Sequence, residues 1–253
     1  MTRRPRRVEG AQDWPSYRLA MFDRDFLLSP VMRGVRLQVE CTKADEALRA
    51  AGVRSTLVIF GGSRVAEDGP NRQPAWYAEA RRFGRIASER GGAMHPVAGT
   101  RDNVIATGGG AGIMEAACRG AYDAGAPAIG FNIRLPKEQP PNPYTTPELT
   151  FQFHYFAIRK LHLAMRARAL IVFPGGFGTL DELFELLTLR QSGRMGAVPI
   201  ILVDRVYWHD LINWEAMADA GMVARSDLDL LQFANDAEDA WRLLEASGVL
   251  VGR

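Results

Sequence analysis

The stretch from residue 169 to residue 188 constrains the fold of this chain most, because its character changes twice over a short distance. It begins with five apolar residues, 169–173, which have the length and composition of a buried parallel strand. The glycine-rich turn PGGFG at 174–178 ends the strand. Apolar residues then recur with helical spacing from Leu180 to Leu187. The stretch therefore predicts a strand, a glycine turn and a helix in direct succession.

The glycine turn is suited to binding an anion. Glycine lets the backbone approach a ligand closely, and the free N–H groups at the start of a helix attract negative charge. We therefore expect a phosphate group at Gly175 to Thr179. The same residues also allow a simpler interpretation, because Thr179 and Glu182 have the spacing of a capping box, in which Glu182 would only close the start of the helix. Spacing alone leaves both interpretations open.

Two earlier segments repeat the pattern of a strand followed by a glycine turn. A strand expected over Ser55 to Phe60 leads into Gly61 and Gly62. A strand expected over Val104 to Ala106 leads into the run TGGGAGIME, which opens a helix. In an open parallel sheet, ligands bind outside the carboxyl ends of the strands. Three glycine turns at one edge of a sheet therefore predict one site of nucleotide size.

Strands and helices alternate along the chain, which indicates parallel strands joined by right-handed crossovers. We therefore expect an α/β fold, a Rossmann-like doubly wound parallel sheet that forms a single domain over residues 53–253. Residues 1–52 are expected to form a helical N-terminal extension, which packs either on this domain or on a partner subunit. The remaining elements are helices expected within 18–28 and over 37–51, 76–90, 156–168, 208–220 and 237–246, strands over 128–133, 151–155, 198–203 and 228–233, and a proline-rich loop over 135–147.

Composition and charge exclude several kinds of partner. The net charge is +2, and four arginines between residues 3 and 7 account for more than this, so the rest of the chain is near neutral and we expect no nucleic-acid partner. The longest apolar runs are too short to cross a bilayer, so we expect no membrane association. Cys41 and Cys118 form no metal or redox motif, and two free thiols indicate a reducing cytoplasm.

We predict neither a metal nor an organic cofactor. The four histidines, residues 95, 154, 162 and 209, do not combine with a carboxylate at the spacing of metal ligands. No lysine has a context that would support a Schiff base with pyridoxal phosphate. The aromatic residues at 151–156 are better explained as core or subunit interface than as a surface on which a base stacks.

Two basic residues, Arg159 and Lys160, lie on the helix that comes directly before the strand at 169–173. In a βαβ arrangement, such residues can face the same edge of the sheet as the glycine turn. The alternative is a solvent-exposed basic face, which Arg166 supports for part of the helix. The residues alone favour the exposed face, with Leu161, Ala164 and Met165 directed inward.

The string PGGFGTLDE resembles the PGGxGTxxE signature of the LOG family, which comprises cytokinin-activating phosphoribohydrolases whose members often carry the older label "lysine decarboxylase-like". An Arg-Lys pair precedes the signature in that family, as Arg159 and Lys160 do here. GGGAGIMEAA at 108–117 resembles the family's GGGxGIMEA element, and IFGGSR at 59–64 resembles its first strand motif. The resemblance covers about residues 53–222. The fixed positions of the signature are Pro174, Gly175, Gly176, Gly178, Thr179 and Glu182.

This resemblance implies an activity and a role for individual residues. Arg159 and Glu182 correspond to the family's essential pair, and we expect them to be catalytic. The implied reaction is hydrolysis of the N-glycosidic bond of a purine nucleoside 5′-monophosphate, of the AMP type or N6-modified, to the free base and ribose 5-phosphate. The residues expected to bind the substrate are Lys160, Ser63, Gly108, Gly109, Gly110, Met114, Gly175, Gly176, Phe177, Gly178, Thr179, Thr188 and Glu138.

A second hypothesis is a non-catalytic nucleotide or molybdenum-cofactor carrier, because such carrier proteins resemble this fold and share glycine-rich turns. Arg159 and Glu182 favour the enzyme, since a carrier need not retain them. The family builds its site at or near a dimer contact, which implies a homodimer.

Overall fold

The computed structural model describes residue 10 and residues 14–136 and 140–250 of the 253-residue chain. The arginine cluster at 3–7 and Glu138 lie outside these residues. In the described part of the chain, one parallel sheet has the strand order β4-β3-β2-β1-β5-β6-β7. The expected fold class is therefore confirmed. The strands are β1 Thr56–Phe60, β2 Val104–Thr107, β3 Ala128–Ile133, β4 Thr150–Phe153, β5 Ala167–Val172, β6 Ile200–Val203 and β7 Leu231–Ala234.

The direction in which strands are added to the sheet reverses between β1 and β5. Strands β2 to β4 extend outward from one side of β1, and strands β5 to β7 extend from its other side. The strands β2, β1 and β5 are therefore neighbours, and each of them ends in one of the three glycine turns. Because the strands are parallel, the three turns lie side by side at the carboxyl edge, where ligands bind in such sheets.

Helices cover both faces of the sheet, and each face has its own apolar core. Alternate residues of a strand point to opposite faces, so Leu57 and Ile59 pack in one core and Val58 and Phe60 in the other. Helices α3, α4 and α9 cover the first face, and α2, α5, α6, α7 and α8 the second. The helices are α1 Arg24–Leu28, α2 Arg33–Ala50, α3 Gln73–Gly91, α4 Ile113–Asp123, α5 Phe156–Met165, α6 Phe177–Gln191, α7 Arg205–Leu211, α8 Trp214–Asp219 and α9 Ala237–Ala246.

The boundary between α5 and β5 differs from the prediction. Helix α5 ends at Met165 instead of residue 168, because β5 already pairs with β1 at Ala167. Within α5 the inward face is also different, since Leu161 and Met165 are 44% and 49% exposed while His162 and Leu163 are buried. Apolar spacing alone did not identify the buried face, because a histidine occupies part of it.

Arg166 does not belong to a solvent-exposed basic face. Its side chain is 14% exposed and forms an ion pair with Asp45 of α2, at 2.6 Å. Its Nε also donates to the carbonyl oxygen of Val53, at 3.3 Å. The sequence could not show this, because the acidic partner lies in the N-terminal extension.

Two predicted elements near the C-terminus are also shorter than expected. The helix predicted over 208–220 is broken between α7 and α8, because Ile212 is extended and the Asn213 side chain caps α8 by accepting the N–H of Ala216. The last strand begins at Leu231, since residues 225–230 form a 3-10 helix.

Helix α2 of the N-terminal extension packs on the rest of the chain. Ala44 and Leu48 are buried in the same core as Leu163 of α5. The position of a domain boundary near residue 52 stays a prediction. Among the described residues, no helix combines the length and the apolar character needed to cross a membrane.

Candidate active site

The three glycine turns are joined to one another by backbone contacts. The Gly62 N–H donates to the carbonyl oxygen of Pro174, at 2.9 Å, and the carbonyl oxygen of Gly62 accepts the N–H of Ile113, at 3.2 Å. Gly112 has a φ of 72°, and a Cβ at this position would overlap the Gly62 carbonyl oxygen. Glycine is therefore required for the turns after β1 and β2 to pack this closely.

A cavity of about 590 Å³ opens at this edge of the sheet. Its volume lies in the range typical of small-molecule sites. The predicted site residues that line it come from the turns after β1 and β5 and from helices α4, α5 and α6. They are Ser63, Met114, Arg159, Gly175, Gly176, Phe177, Gly178, Thr179 and Glu182.

The start of α6 decides between the two interpretations of Glu182. The N-cap residue is Gly176, so Thr179 lies within the first turn and donates its N–H to the Gly176 carbonyl oxygen, at 3.0 Å. Gly176 has no side chain, so the N-cap residue forms no side-chain capping bond. The capping-box interpretation is therefore wrong. The first N–H groups of α6 have no partner within the helix and lie at the cavity, where they favour an anion.

Glu182 is the acidic group of the cavity. It is 6% exposed, and its carboxylate forms no hydrogen bond to any residue that the structure describes. Burial raises the pKa of this carboxyl from 4.5 to about 7, although the positive charges of Lys160 and Arg159 act in the opposite direction. A carboxyl group with such a pKa exchanges protons readily at neutral pH, as a general base must.

Arg159 is held from behind, and the rest of its guanidinium group faces the cavity. Its Nε donates to the carbonyl oxygen of Phe131, at 2.7 Å, and its Nη2 lies against the backbone of Gly108. Burial lowers the pKa of Arg159, and the negative charge of Glu182 opposes this shift. Within the described residues, Arg159 forms no ion pair. The guanidinium group is thus oriented and has donors left for a ligand.

Lys160 does not line the cavity. Its Nζ forms ion pairs with Asp181, at 2.8 Å, and with Glu185, at 2.6 Å. The structure therefore places Lys160 between α5 and α6, where it fixes the two helices relative to each other. Its charge still acts on Glu182 through space.

The other predicted site residues lie at different distances from the cavity. A Cβ at Gly108 would overlap Arg159, a Cβ at Gly109 would overlap Asn132, and Gly110 lies against Met114. These three glycines thus shape the wall behind the cavity. Thr188 lies farther along α6, is exposed, and lines a separate hollow of about 180 Å³.

Two residues that the sequence did not single out support the turns. The Tyr207 hydroxyl donates to the carbonyl oxygen of Gly175, at 2.8 Å. Asn142, which is buried, donates its backbone N–H to Gly109 O and its side-chain amide to Gly110 O, at 2.9 and 3.1 Å. An asparagine between prolines was the only available signal, and nothing local marked Tyr207.

A second cavity, of about 660 Å³, lies among α7, α8 and β7. It has Leu211 in common with the first cavity, but no glycine turn lines it. Within the described residues, no group of three or more histidine, cysteine or acidic side chains is arranged to hold a metal ion. The cavity at the glycine turns is therefore the better candidate, because convergent charged groups and free backbone donors meet there.

The chain is similar to known proteins in sequence and in fold. A family model described as "Possible lysine decarboxylase" matches residues 114–244. The chain is 27% identical over 146 residues to the cytokinin riboside 5′-monophosphate phosphoribohydrolase LOG2 of Arabidopsis thaliana, covering 56% of this chain and 67% of that protein. It is 26% identical over 196 residues to the probable enzyme LOG4 of Oryza sativa subsp. japonica, covering 76% of this chain and 77% of that protein.

Among solved structures, the chain is similar to the molybdenum cofactor binding protein of Rippkaea orientalis. The TM-score is 0.54 at 20% identity, with 76% of this chain and 96% of that protein covered. At this identity the similarity supports the fold alone. The family model spans more than half of the chain. Its match includes α5, β5 and α6, which carry Arg159, Glu182 and the glycine turn after β5. This chain therefore belongs to the LOG family.

Proposed function

We propose that this protein hydrolyses the N-glycosidic bond of a purine nucleoside 5′-monophosphate, of the AMP type or N6-modified, and releases the free base and ribose 5-phosphate. The observation that carries the proposal is the buried carboxyl of Glu182, which lines a cavity at three glycine turns and shares it with Arg159. The curated relatives are named for this reaction on a cytokinin nucleotide.

The two ends of such a substrate suit different parts of the cavity. The first turn of α6 offers unpaired backbone N–H groups, which favour the phosphate. Ser63 and Arg64, in the turn after β1, also line the cavity and can add a hydroxyl and a positive charge. With the phosphate at the start of α6, the ribose reaches toward Glu182, which lies one turn deeper in the same helix.

Glu182 would act on the sugar carbon. When the bond from C1′ to the base breaks, its electron pair leaves with the base, and C1′ acquires the positive charge of an oxocarbenium ion. The Glu182 carboxylate stabilises this cation and accepts a proton from the water molecule that attacks C1′. The departing base takes up a proton. Overall, the hydroxyl group of water is added to C1′ and its hydrogen is added to the base. In the ionised form, the Glu182 carboxylate has no competing hydrogen bond among the described residues.

Arg159 would bind either the negative charge that develops on the departing base or the phosphate group. A guanidinium group presents several donors in one plane and stays protonated. Its hydrogen bond to Phe131 leaves the outer nitrogens directed at the cavity. This preorganisation reduces the cost of ordering the side chain when substrate binds.

The test is to incubate the protein separately with AMP, N6-isopentenyl-AMP and GMP and to measure the free base and ribose 5-phosphate. We expect release from at least one of the adenine nucleotides, and none with Glu182→Gln or Arg159→Ala. Arg242→Ala is the matched control, because Arg242 is 68% exposed and, within the described part of the chain, its ion pair is with Asp239 of its own helix. Turnover in the Gln variant at the rate of the unaltered protein would contradict the mechanism.

The alternative is a non-catalytic nucleotide or molybdenum-cofactor carrier, which the structural similarity to the Rippkaea protein keeps open. A carrier would bind nucleotides without releasing a base. Calorimetric titration of the same nucleotides, followed by analysis of the recovered ligand, distinguishes the two functions. The free thiols of Cys41 and Cys118 support a cytoplasmic location as part of the proposal for the enzyme.

A further inference from the structure

Helix α2, which lies outside the region matched by the family model, contacts the helix that carries Arg159. We propose that α2 is a positioning element of the active site, in which Glu40 and Arg36 hold the start of α5 so that Arg159 faces the cavity. The inference concerns the orientation of Arg159, and it rests on the proposed function only where turnover is its readout.

Glu40 supplies a cap that α5 lacks in its own sequence. The N-cap residue of α5 is Tyr155, whose side chain forms no capping hydrogen bond. The Glu40 carboxylate instead accepts the backbone N–H groups of His154 and Tyr155, the latter at 3.2 Å. An anionic acceptor at this end satisfies orphan donors and interacts favourably with the helix dipole. Arg159 follows one turn later, and its N–H donates to the Tyr155 carbonyl oxygen, at 3.2 Å.

Arg36 fixes the same end of α5 through a side chain. Its Nε donates to the hydroxyl of Tyr155, at 3.2 Å. Its Nη1 donates to the carbonyl oxygens of Leu27 and Ser29, both at 2.7 Å. Arg36 therefore connects the extension upstream of α2 to the residue that starts α5.

A second route leads from α2 to Arg159 through the core. The carbonyl oxygen of Cys41 lies 3.0 Å from Nε2 of His162, within hydrogen-bond distance. The buried His162 ring stacks on Phe131, with ring centroids 5.9 Å apart. Phe131 provides the carbonyl oxygen that holds Nε of Arg159. A shift of α2 would therefore displace the guanidinium group in two ways, through the start of α5 and through the contacts of His162 with Phe131.

The contacts of Glu40 are separable from those that stabilise the packing of α2. Ala44 and Leu48 supply the buried apolar surface of this helix. Glu40 is only half-buried and makes polar contacts at the surface. Its removal should leave α2 docked while the start of α5 loses its cap.

The experiment compares Glu40→Ala with Glu46→Ala, a control on the same helix whose exposed carboxylate forms an ion pair with Arg49 of that helix. We expect Glu40→Ala to lower kcat/KM by about 10-fold or more, since small misplacements of catalytic groups cost this much or more. We also expect the acidic limb of its pH profile to move to higher pH, because Glu182 loses stabilisation by Arg159. Glu46→Ala should change neither quantity. A purely structural role of Glu40 would lower the melting temperature without moving the pH profile.

Tyr155→Phe provides a second, milder variant, because it removes only the hydroxyl that Arg36 binds. We expect it to change the same quantities in the same direction but less. Kinetic constants and pH midpoints of Glu40→Ala equal to those of Glu46→Ala would overturn the inference.

If the unaltered protein binds AMP without turnover, the proposed function fails, and the dissociation constant for AMP becomes the readout. A weaker affinity in Glu40→Ala alone then supports the positioning role, and equal affinities contradict it.

Discussion

The carboxyl group of Glu182 affects activity and stability in opposite directions when it ionises. The group is buried in the folded protein, where its pKa is about 7, against 4.5 for an ordinary glutamate. Between these pH values the folded state binds more protons than the unfolded state, so the free energy of unfolding falls as the pH rises from 4.5 to 7. The ionised form that the reaction needs is therefore the form that destabilises the fold.

We predict that Glu182→Gln is inactive and yet at least as stable as the unaltered protein at pH 8. The amide is nearly isosteric, and it removes the cost of a buried charge. The raised pKa corresponds to about 3 kcal/mol of unfolding free energy, as an upper bound. Denaturant unfolding of both proteins at pH 5 and pH 8 measures this, since the difference between them should be much larger at pH 8 than at pH 5. A variant that is less stable at pH 8 would show that Glu182 contributes to the fold.

Gly108 provides a test of whether the position of Arg159 matters. A Cβ at residue 108 would overlap Nη2 of Arg159, so we expect Gly108→Ala to displace the guanidinium group and to lower kcat/KM by about 10-fold or more. Gly34→Ala is the matched control, because a Cβ at that helical position meets no atom of the described residues within 4 Å. Steady-state kinetics with an adenine nucleotide measure the effect. Equal constants for the two variants would contradict the role assigned to Arg159.

At the scale of elements, the sequence predicted the strands followed by glycine turns because their signals are local. A buried apolar run and a glycine turn are recognisable within ten or so residues, and the parallel arrangement follows from the alternation with helices. The boundary between α5 and β5 was not predictable in this way, because β1 determines it by pairing at Ala167. Whether Glu182 belongs to a capping box depended on where α6 begins, and the structure places the N-cap at Gly176.

The residues that support the glycine turns could not be predicted from the sequence either, because they are distant from the turns along the chain. Asn142 contacts the turn at Gly109 and Gly110, and Tyr207 contacts Gly175, so each reaches a distant part of the chain. Arg166 pairs with Asp45 of the N-terminal extension. Such contacts depend on the tertiary arrangement, and no local pattern in a single sequence predicts which distant residues will meet.

The loop that carries Asn142 allows a prediction at this scale. Asn142→Ala removes the donor to the Gly110 carbonyl oxygen and the acceptor of the Tyr144 N–H, at 3.1 Å each. We expect a loss of about 1–3 kcal/mol in unfolding free energy, because buried polar groups lose their partners. The turn next to Arg159 should also become less ordered and raise KM. Asn235→Ala is the control, since Asn235 is exposed and its side chain donates to Asp239, four residues along the chain.

At the scale of the whole molecule, helix α5 and the edge of the cavity expose large apolar side chains. On α5, the side chains of Phe156, Leu161 and Met165 are 51%, 44% and 49% exposed, and this helix also carries Arg159. Phe177, at the edge of the cavity, is 93% exposed. Exposed large apolar side chains are commonly found at interfaces. We expect a second copy of this chain to cover them, in a homodimer.

The dimer is tested by the mass in solution and by one substitution in the expected interface. Light scattering at micromolar concentration should give twice the chain mass of 28.0 kDa. Leu161→Glu places a charge among the exposed apolar residues of α5, and we expect it to produce a monomer, since burying an unpaired carboxylate in an interface is costly. Val97→Glu is the control, because Val97 is 75% exposed and lies in a turn closed by Thr100, outside α5. If the unaltered protein has the mass of one chain, the apolar surface of α5 serves another purpose; if Leu161→Glu stays dimeric, the two copies meet through a different surface.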